Sequence, residues 1–327
     1  MTSERDGDHG VLTALAGGVG AARLLRGVVE VVPPQLVTAI VNTGDDIVLH
    51  GLHVSPDLDT VMYTLAGAVD AGQGWGLAGE SWSVMGALER YAVARPAGSS
   101  AGQTWFRLGD RDLATHLYRT QRLAEGASLS EVTAEMASAW GVSVHLLPMT
   151  DDPVETRMDV PGEGEIGFQE YFVHRRHEVP VRGIRFAGAA AARPAPGVVE
   201  AVVEAEAVVI CPSNPLVSIE PVLSVAGIRA AVTARRDSVV AVSPIVAGAA
   251  LKGPAARLLA ELGHEVSVVG VARLYAPLAG TLVIDVADRD LAPVVESLGM
   301  RCVVAPSVMH GVAEAAALAR VVLEAAG

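Results

Sequence analysis

Short Val-rich apolar runs alternate along this chain with longer stretches in which Ala and Leu recur at helical spacing. The short runs, bounded by Gly, Pro, Asn or Asp, read as buried strands; the periodic stretches read as helices. Val11 to Ala16 is the first strand, Gly17 to Gly20 a turn, Ala21 to Val31 a helix and Leu36 to Val41 a second strand. From Val69 to Trp140 no strong Val run occurs, and helical segments fall near Trp82–Val93, Asp112–Glu125 and Ser128–Trp140. Strand patterns return at Val142–Leu147, Ile166–Val173 and Val181–Phe186, the last two expected to pair as an antiparallel excursion. Further strands are expected at Ala207–Cys211, Val239–Val242, Glu265–Val271, Thr281–Ile284 and Arg301–Val304, before a final helix Gly311–Ala326.

Alternating strands and helices predict an α/β fold: a Rossmann-like, mostly parallel sheet sandwiched by helices. Residues 1–68 and 141–327 are expected to form that core, with 69–140 a largely helical insertion over the active site. Ligands of such sheets bind beyond the carboxyl ends of the strands, so the loops there are searched first for chemistry.

Composition narrows the picture. The chain has 327 residues and is 51% hydrophobic but only 4% aromatic, so aliphatic side chains fill the core. A formal charge of −13 argues against nucleic acid as a partner. Lys252 is the single lysine, leaving Arg to supply nearly all positive charge. Cys211 and Cys302 lie in apolar runs, as expected for reduced thiols. Met1–Gly10 is too polar for a secretory signal, and the apolar stretch near Val239–Leu251 is broken by Ser243, Pro244 and Gly248. A cytoplasmic protein with no membrane partner is expected.

Seven motifs carry candidate chemistry. Gly17-Gly18-Val19-Gly20 reads either as a tight βα turn or as a cradle for a nucleotide phosphate, with Gly17, Gly18 and Gly20 as the contacts. Arg23 holds the place of a third fingerprint glycine. Asn42-Thr43-Gly44-Asp45-Asp46 puts two carboxylates after a strand, and Ser55-Pro56-Asp57-Leu58-Asp59-Thr60 adds two more. Either motif alone serves as a cap or turn. Carboxylates packed this densely need a cation or donors to hold them, which favours a hard metal such as Mg2+ on Asp45, Asp46 and Asp59. Arg107-Leu108-Gly109-Asp110-Arg111-Asp112, with His116 one turn later, offers arginines to an anion or a solvated helix start. Met149-Thr150-Asp151-Asp152-Pro153 is a cap or a further acidic contact. Pro212-Ser213-Asn214-Pro215 presents Ser213 and Asn214 from a rigid loop, and Ser243-Pro244-Ile245 leads towards Lys252; both suit nucleotide contacts. The histidines are scattered, so a Ser-His-Asp hydrolase is unsupported.

Together, and in this order, these motifs resemble the 2-phospho-L-lactate transferase family of coenzyme F-420 biosynthesis, from Val11 to about Leu323. The resemblance implies a guanosine-diphosphate-linked three-carbon acid as donor and the deazaflavin Fo as acceptor. The ribityl hydroxyl of Fo attacks the phosphorus bearing the acid, and GMP leaves. The bacterial branch uses enolpyruvate, giving dehydro-F-420-0, and the Ala- and Arg-rich composition leans that way. By matching position, Asp59 and Arg107 resemble acceptor contacts; many members have lysine at the latter. Val19 stands where others have threonine. Ser55 and Asp57 join the acceptor side, Ser243 the nucleotide side, and Asp59 with Asp45 the catalytic pair, Asp59 orienting or deprotonating the hydroxyl. A homodimer is implied. The competing expectation is a nucleotide-binding regulatory protein on the same scaffold. An NAD-dependent oxidoreductase is disfavoured, because the double Asp follows a glycine instead of ending the second strand.

Overall fold

The structure is a computed structural model describing residues 12–250 and 253–327. Val11 and Lys252 lie outside the described residues. The strands are β1 (Leu12–Ala16), β2 (Val37–Val41), β3 (Ile47–Leu49), β4 (Leu52–Val54), β5 (His145–Pro148), β6 (Glu155–Val160), β7 (Gly164–Gly167), β8 (Gly183–Ala187), β9 (Ala207–Ile210), β10 (Val239–Val242), β11 (Ile245–Val246), β12 (Ala249–Ala250), β13 (Thr281–Ile284) and β14 (Arg301–Val304). The helices are α1 (Gly18–Val28), α2 (Pro56–Leu65), α3 (Ser83–Ala92), α4 (Asp112–Ala124), α5 (Leu129–Ala139), α6 (Val198–Glu204), α7 (Glu220–Ser224), α8 (Ile228–Ala234), α9 (Ala255–Glu261), α10 (Val268–Tyr275), α11 (Ala292–Ser297) and α12 (Val312–Ala326).

Seven strands form one parallel sheet in the order β14-β13-β10-β9-β1-β2-β5. Residues of β1, β9, β10 and β13 are buried throughout, which explains their continuous apolar runs: both faces are covered. Leu15, Ile40, Ile210 and Leu282 point into a core shared with Val202 of α6, Ile228 of α8, Leu259 of α9 and Val271 of α10. Ala14, Val41, Val209 and Val240 point the other way, against Leu24 of α1, Val61 of α2, Met136 of α5 and Leu318 of α12. The result is a helix–sheet–helix sandwich, as the alternating pattern predicts.

Four expectations need correction. Glu265–Val271 is not a strand. Its hydroxyl-bearing Ser267 accepts hydrogen bonds from the backbone N–H groups of Val269 (3.1 Å) and Gly270 (3.2 Å), and this cap starts α10 inside the Val-rich run. Ile166–Val173 is only partly extended: β7 ends at Gly167 and Glu170–His174 forms a π-helical turn. Nor do the two expected excursion strands pair with each other. Both flank β6, in the antiparallel order β7-β6-β8. β6 buries Thr156, Met158 and Val160, but Glu155, Arg157 and Asp159 on its other face mask the pattern. The first helix also starts earlier than Ala21, at Gly18, so its glycines lie within its first turn.

Within 69–140, α3 packs with Trp82, Trp105, Phe106 and Leu108 against the β3–β4 hairpin. By contrast, α5 buries Val132, Met136 and Ala137 in the same cluster as β1 and β2. Its start is fixed by a capping box between Ser128 and Glu131.

Candidate functional site

Strand order reverses beside β1: β2 lies on one side, and β9, which follows much later in the chain, lies on the other. The crevice between the carboxyl ends of β1 and β9 is therefore the switch point of this sheet. Register sets its walls. The Asn42 N–H donates to the Ala16 carbonyl (2.9 Å) and the Cys211 N–H to the Leu15 carbonyl (3.1 Å), so the three following loops emerge side by side. Ser213 closes the crevice: its hydroxyl accepts from Gly17 N–H (3.2 Å) and donates to Gly17 carbonyl (2.8 Å). A Cβ on Gly20 would stand 2.2 Å from the Pro212 carbonyl oxygen, and one on Gly17 would stand 2.8 Å from Asp57 Oδ2. Only glycine allows these approaches.

Under this loop lie the four carboxylates, drawn together by hydrogen bonds. Asn42 Nδ2 donates to Asp57 Oδ2 (3.0 Å), and Asn42 Oδ1 accepts from Gly44 N–H (2.9 Å). Ser55 Oγ donates to Asp46 Oδ2 (2.6 Å). Gln169 Nε2, from the turn after β7, donates to the Asp45 carbonyl (3.0 Å). Oδ1 of Asp45 and Oδ1 of Asp46 are buried with no hydrogen-bond partner. Burial, with the charges of Asp57 and Asp46, pushes the Asp45 carboxyl well above the usual range. Burial also raises Asp46, against the pull of Ser55 and Arg119. Asp57 is pushed up to about 6 by burial, with Asn42 and the Gly18 N–H pulling the other way.

Asp59 is placed differently. Both its oxygens meet Arg119 of α4, Nη1 on Oδ2 at 3.2 Å and Nη2 on Oδ1. Burial raises the Asp59 carboxyl, and Arg119 and His116 oppose that shift. His116 Nδ1 lies 3.8 Å from Asp59 Oδ2, and His116 Nε2 lies 3.3 Å from Asp112 Oδ2. Tyr63 of α2 donates to Asp112 Oδ1 (2.5 Å), with Thr115 Oγ1 at 2.6 Å from the same phenol oxygen. Asp112, His116 and Arg119 sit at i, i+4 and i+7 of α4 and form one inward polar stripe. Arg119, although absent from the expected site, is the sole arginine or lysine among the buried described residues. That helical spacing is the signal by which the sequence could have shown it.

The structure thus links Gly17, Gly18, Ser213, Asp45, Asp46, Ser55, Asp57 and Asp59 in one region. Arg107 and Ser243 make no hydrogen bond to it. The exposed Arg107 guanidinium lies 4.2 Å from the centre of the Trp82 ring. Ser243 closes its own turn, accepting from Ile245 N–H (3.1 Å) and donating to Ile245 carbonyl (3.0 Å). Asn214 Oδ1 caps the next turn through Leu216 N–H (2.9 Å), while its Nδ2 is buried without a partner. Asp110 caps α3, and Asp151 and Asp152 bond Ser130 and the Arg193 N–H, so these carboxylates serve turns. Chemically, the region offers two buried carboxyls that resist ionisation unless a cation pairs with them, each with an unpartnered oxygen, which suits a hard divalent cation. It also offers, beneath the glycine turn, a carboxyl raised to about 6.

Comparison with known proteins bears on the family and the fold. Residues 12–294 match the family described as 2-phospho-L-lactate transferase CofD. A phosphoenolpyruvate transferase of Kitasatospora aureofaciens is 46% identical, covering 95% of this chain and 96% of its own. One of Streptomyces griseus is 47% identical, with 96% and 98% covered. A more distant one from Mycolicibacterium smegmatis is 39% identical over 97% of this chain and 98% of its own. The fold resembles a crystal structure of a upf0052 family member from Bacillus halodurans, with a TM-score of 0.59, 15% identity, and 95% and 98% covered.

Proposed function

Since the chain belongs to the 2-phospho-L-lactate transferase CofD family, we propose that this transferase moves a phosphoenolpyruvyl group from a guanosine-diphosphate carrier to the deazaflavin Fo. The product is dehydro-F-420-0 and the by-product GMP. The choice of enolpyruvate over lactate is supported by the names of the relatives at 44–47% identity. The reaction class is supported chiefly by one observation: the buried, unpartnered oxygens of Asp45 and Asp46 beside the β1–β9 crevice.

Asp45 and Asp46 would hold a magnesium ion, with Asp59 beside them. The bound ion would neutralise charge on the diphosphate. The rest is the work of the chain. The glycine turn Gly17–Gly20 at the start of α1 and the Ser213–Asn214 loop hold the nucleotide phosphate side. The acceptor side falls to Ser55, Asp57, Asp59 and the Arg107 guanidinium beside the Trp82 ring. The ribityl oxygen forms the new P–O bond and its proton passes to a carboxylate. The phosphoanhydride P–O bond breaks, and GMP leaves with its electron pair. Asp57, at about 6, suits proton acceptance at neutral pH. Asp59 suits it less, since both of its oxygens face Arg119; orienting the hydroxyl fits it better. This reading includes a cytoplasmic homodimer.

The test is a mass-spectrometric assay of purified protein with Fo, Mg2+ and two guanosine-diphosphate donors, one enolpyruvyl and one lactyl. Release of GMP with an Fo phosphodiester is expected, with the enolpyruvyl donor preferred. EDTA should abolish it and Mg2+ restore it. A folded protein that neither binds Fo nor transfers from either donor would overturn the reading in favour of a regulatory nucleotide-binding protein.

A further inference from the structure

We propose that Arg119 is a positioning residue of the transfer site: it supplies the internal counter-charge for Asp59 and so reserves Asp45 and Asp46 for a cation from solution. The inference rests on the cation role proposed above. Four acidic side chains crowd the site, and among the described residues a single buried guanidinium meets them. That guanidinium is committed on every side. It grips both oxygens of Asp59, and Nη1 also reaches the His53 carbonyl (3.3 Å) and His116 Nδ1 (3.4 Å). Its side chain is 2% exposed, so it is not a surface ion pair that water replaces at little cost. The contacts bind α4 to the first turn of α2 and to the end of β4.

The geometry divides the acids into two classes. Asp59 is compensated by the protein itself, whereas Asp45 and Asp46 each keep an unpartnered buried oxygen. A second cation at Asp59, Asp112 and His116, whose ligand atoms lie within 4.8 Å of one another, would have to displace or face the guanidinium already there. Arg119 thus fixes where a divalent ion goes as well as how Asp59 points. It touches no reactant and acts through Asp59.

The experiment compares the full-length protein with Arg119→Gln and Arg119→Lys. Mn2+ binding is followed by electron paramagnetic resonance without substrates. Then kcat and KM are measured with Fo and the enolpyruvyl donor. In Arg119→Gln the loss of one buried positive charge should tighten Mn2+ binding about tenfold or add a second bound ion, while kcat falls about a hundredfold. A purely structural arginine predicts weaker Mn2+ binding or none. Arg119→Lys keeps the charge but loses the two-pronged grip. It should bind Mn2+ as the parent does and show kcat about tenfold lower with KM within about threefold. If Arg119→Gln does not fold, the lysine variant decides alone. Parent-like kcat in Arg119→Lys, or looser Mn2+ binding in folded Arg119→Gln, overturns the inference. A parent that binds Mn2+ but transfers nothing overturns the proposed reaction and leaves this inference to the metal readout. A parent that binds no Mn2+ overturns the inference together with the cation role.

Discussion

Asp57 lies directly beneath the backbone of Gly17 and Gly18, close enough that a methyl group on Gly17 would collide with it. Its carboxyl, held near 6 by burial, binds a proton more tightly in the folded chain than in the unfolded one, where a value near 3.8 applies. Between those two values the unfolded chain gives up its proton first. Folding stability from this group is therefore whole below about pH 4 and falls as the pH rises through about 6, by about 2 to 3 kcal/mol in all. Thermal melts from pH 4.5 to 7.5 should show the parent losing stability relative to Asp57→Asn over that window. Asn42 shows why a sequence reads this site only in part. The acidic motifs are plain in the chain, but the amide that joins Asp57 to the Gly44 turn is a residue type at home in any turn. Arg119 was hidden for a related reason: among the many arginines of an almost lysine-free chain, its i, i+4, i+7 spacing with Asp112 and His116 stands out only once α4 turns that face inward.

At the scale of elements, strands with both faces buried announce themselves through short Val- and Ile-rich runs without charged residues, as β9, β10 and β13 do. Long amphipathic helices such as α4 and α12 are equally legible. The failures come where a local hydrogen bond overrides a hydrophobic run. Ser267 turns a Val-rich segment into α10, and Ser267→Ala should destabilise the protein by about 1 kcal/mol, measured by denaturant unfolding. A second element-level constraint is the approach of α1 to the Pro212 loop. Gly20→Ala would set a methyl 2.2 Å from the Pro212 carbonyl oxygen, so the crevice must open to admit it. A loss of about 2 kcal/mol is expected, together with weaker GMP binding by calorimetry. An unfolding midpoint equal to the parent's would show that the two loops are not tightly apposed.

Over the whole molecule, three layers meet near the acidic loop: the main sheet, the small β7-β6-β8 sheet, and the segment carrying α3. Trp105 bridges the last two by stacking on His174, ring centres 5.2 Å apart and planes inclined by 22°. Gln169, a few residues before His174, bonds the Asp45 carbonyl, so the segment that carries His174 also touches a proposed cation ligand. Trp105→Ala should cost about 1 kcal/mol of stability and, through the Gln169 contact with Asp45, raise KM for Fo about tenfold. Unchanged KM in steady-state assays would assign the stack to packing alone. The sequence shows the insertion's helices but not this bridge, since the two rings come from segments about 70 residues apart.

The central strand has one more consequence, in the order of synthesis. Gly17 and Ser213, which close the crevice, are separated by 196 positions. β1 and β2 leave the ribosome long before β9 exists, and one edge of β1 must wait for it with its hydrogen bonds unmade. An apolar strand with an open edge is a template for pairing with another nascent chain. The placement that puts the site at the heart of the sheet thus also makes its first strand the point at which a chaperone has most to protect.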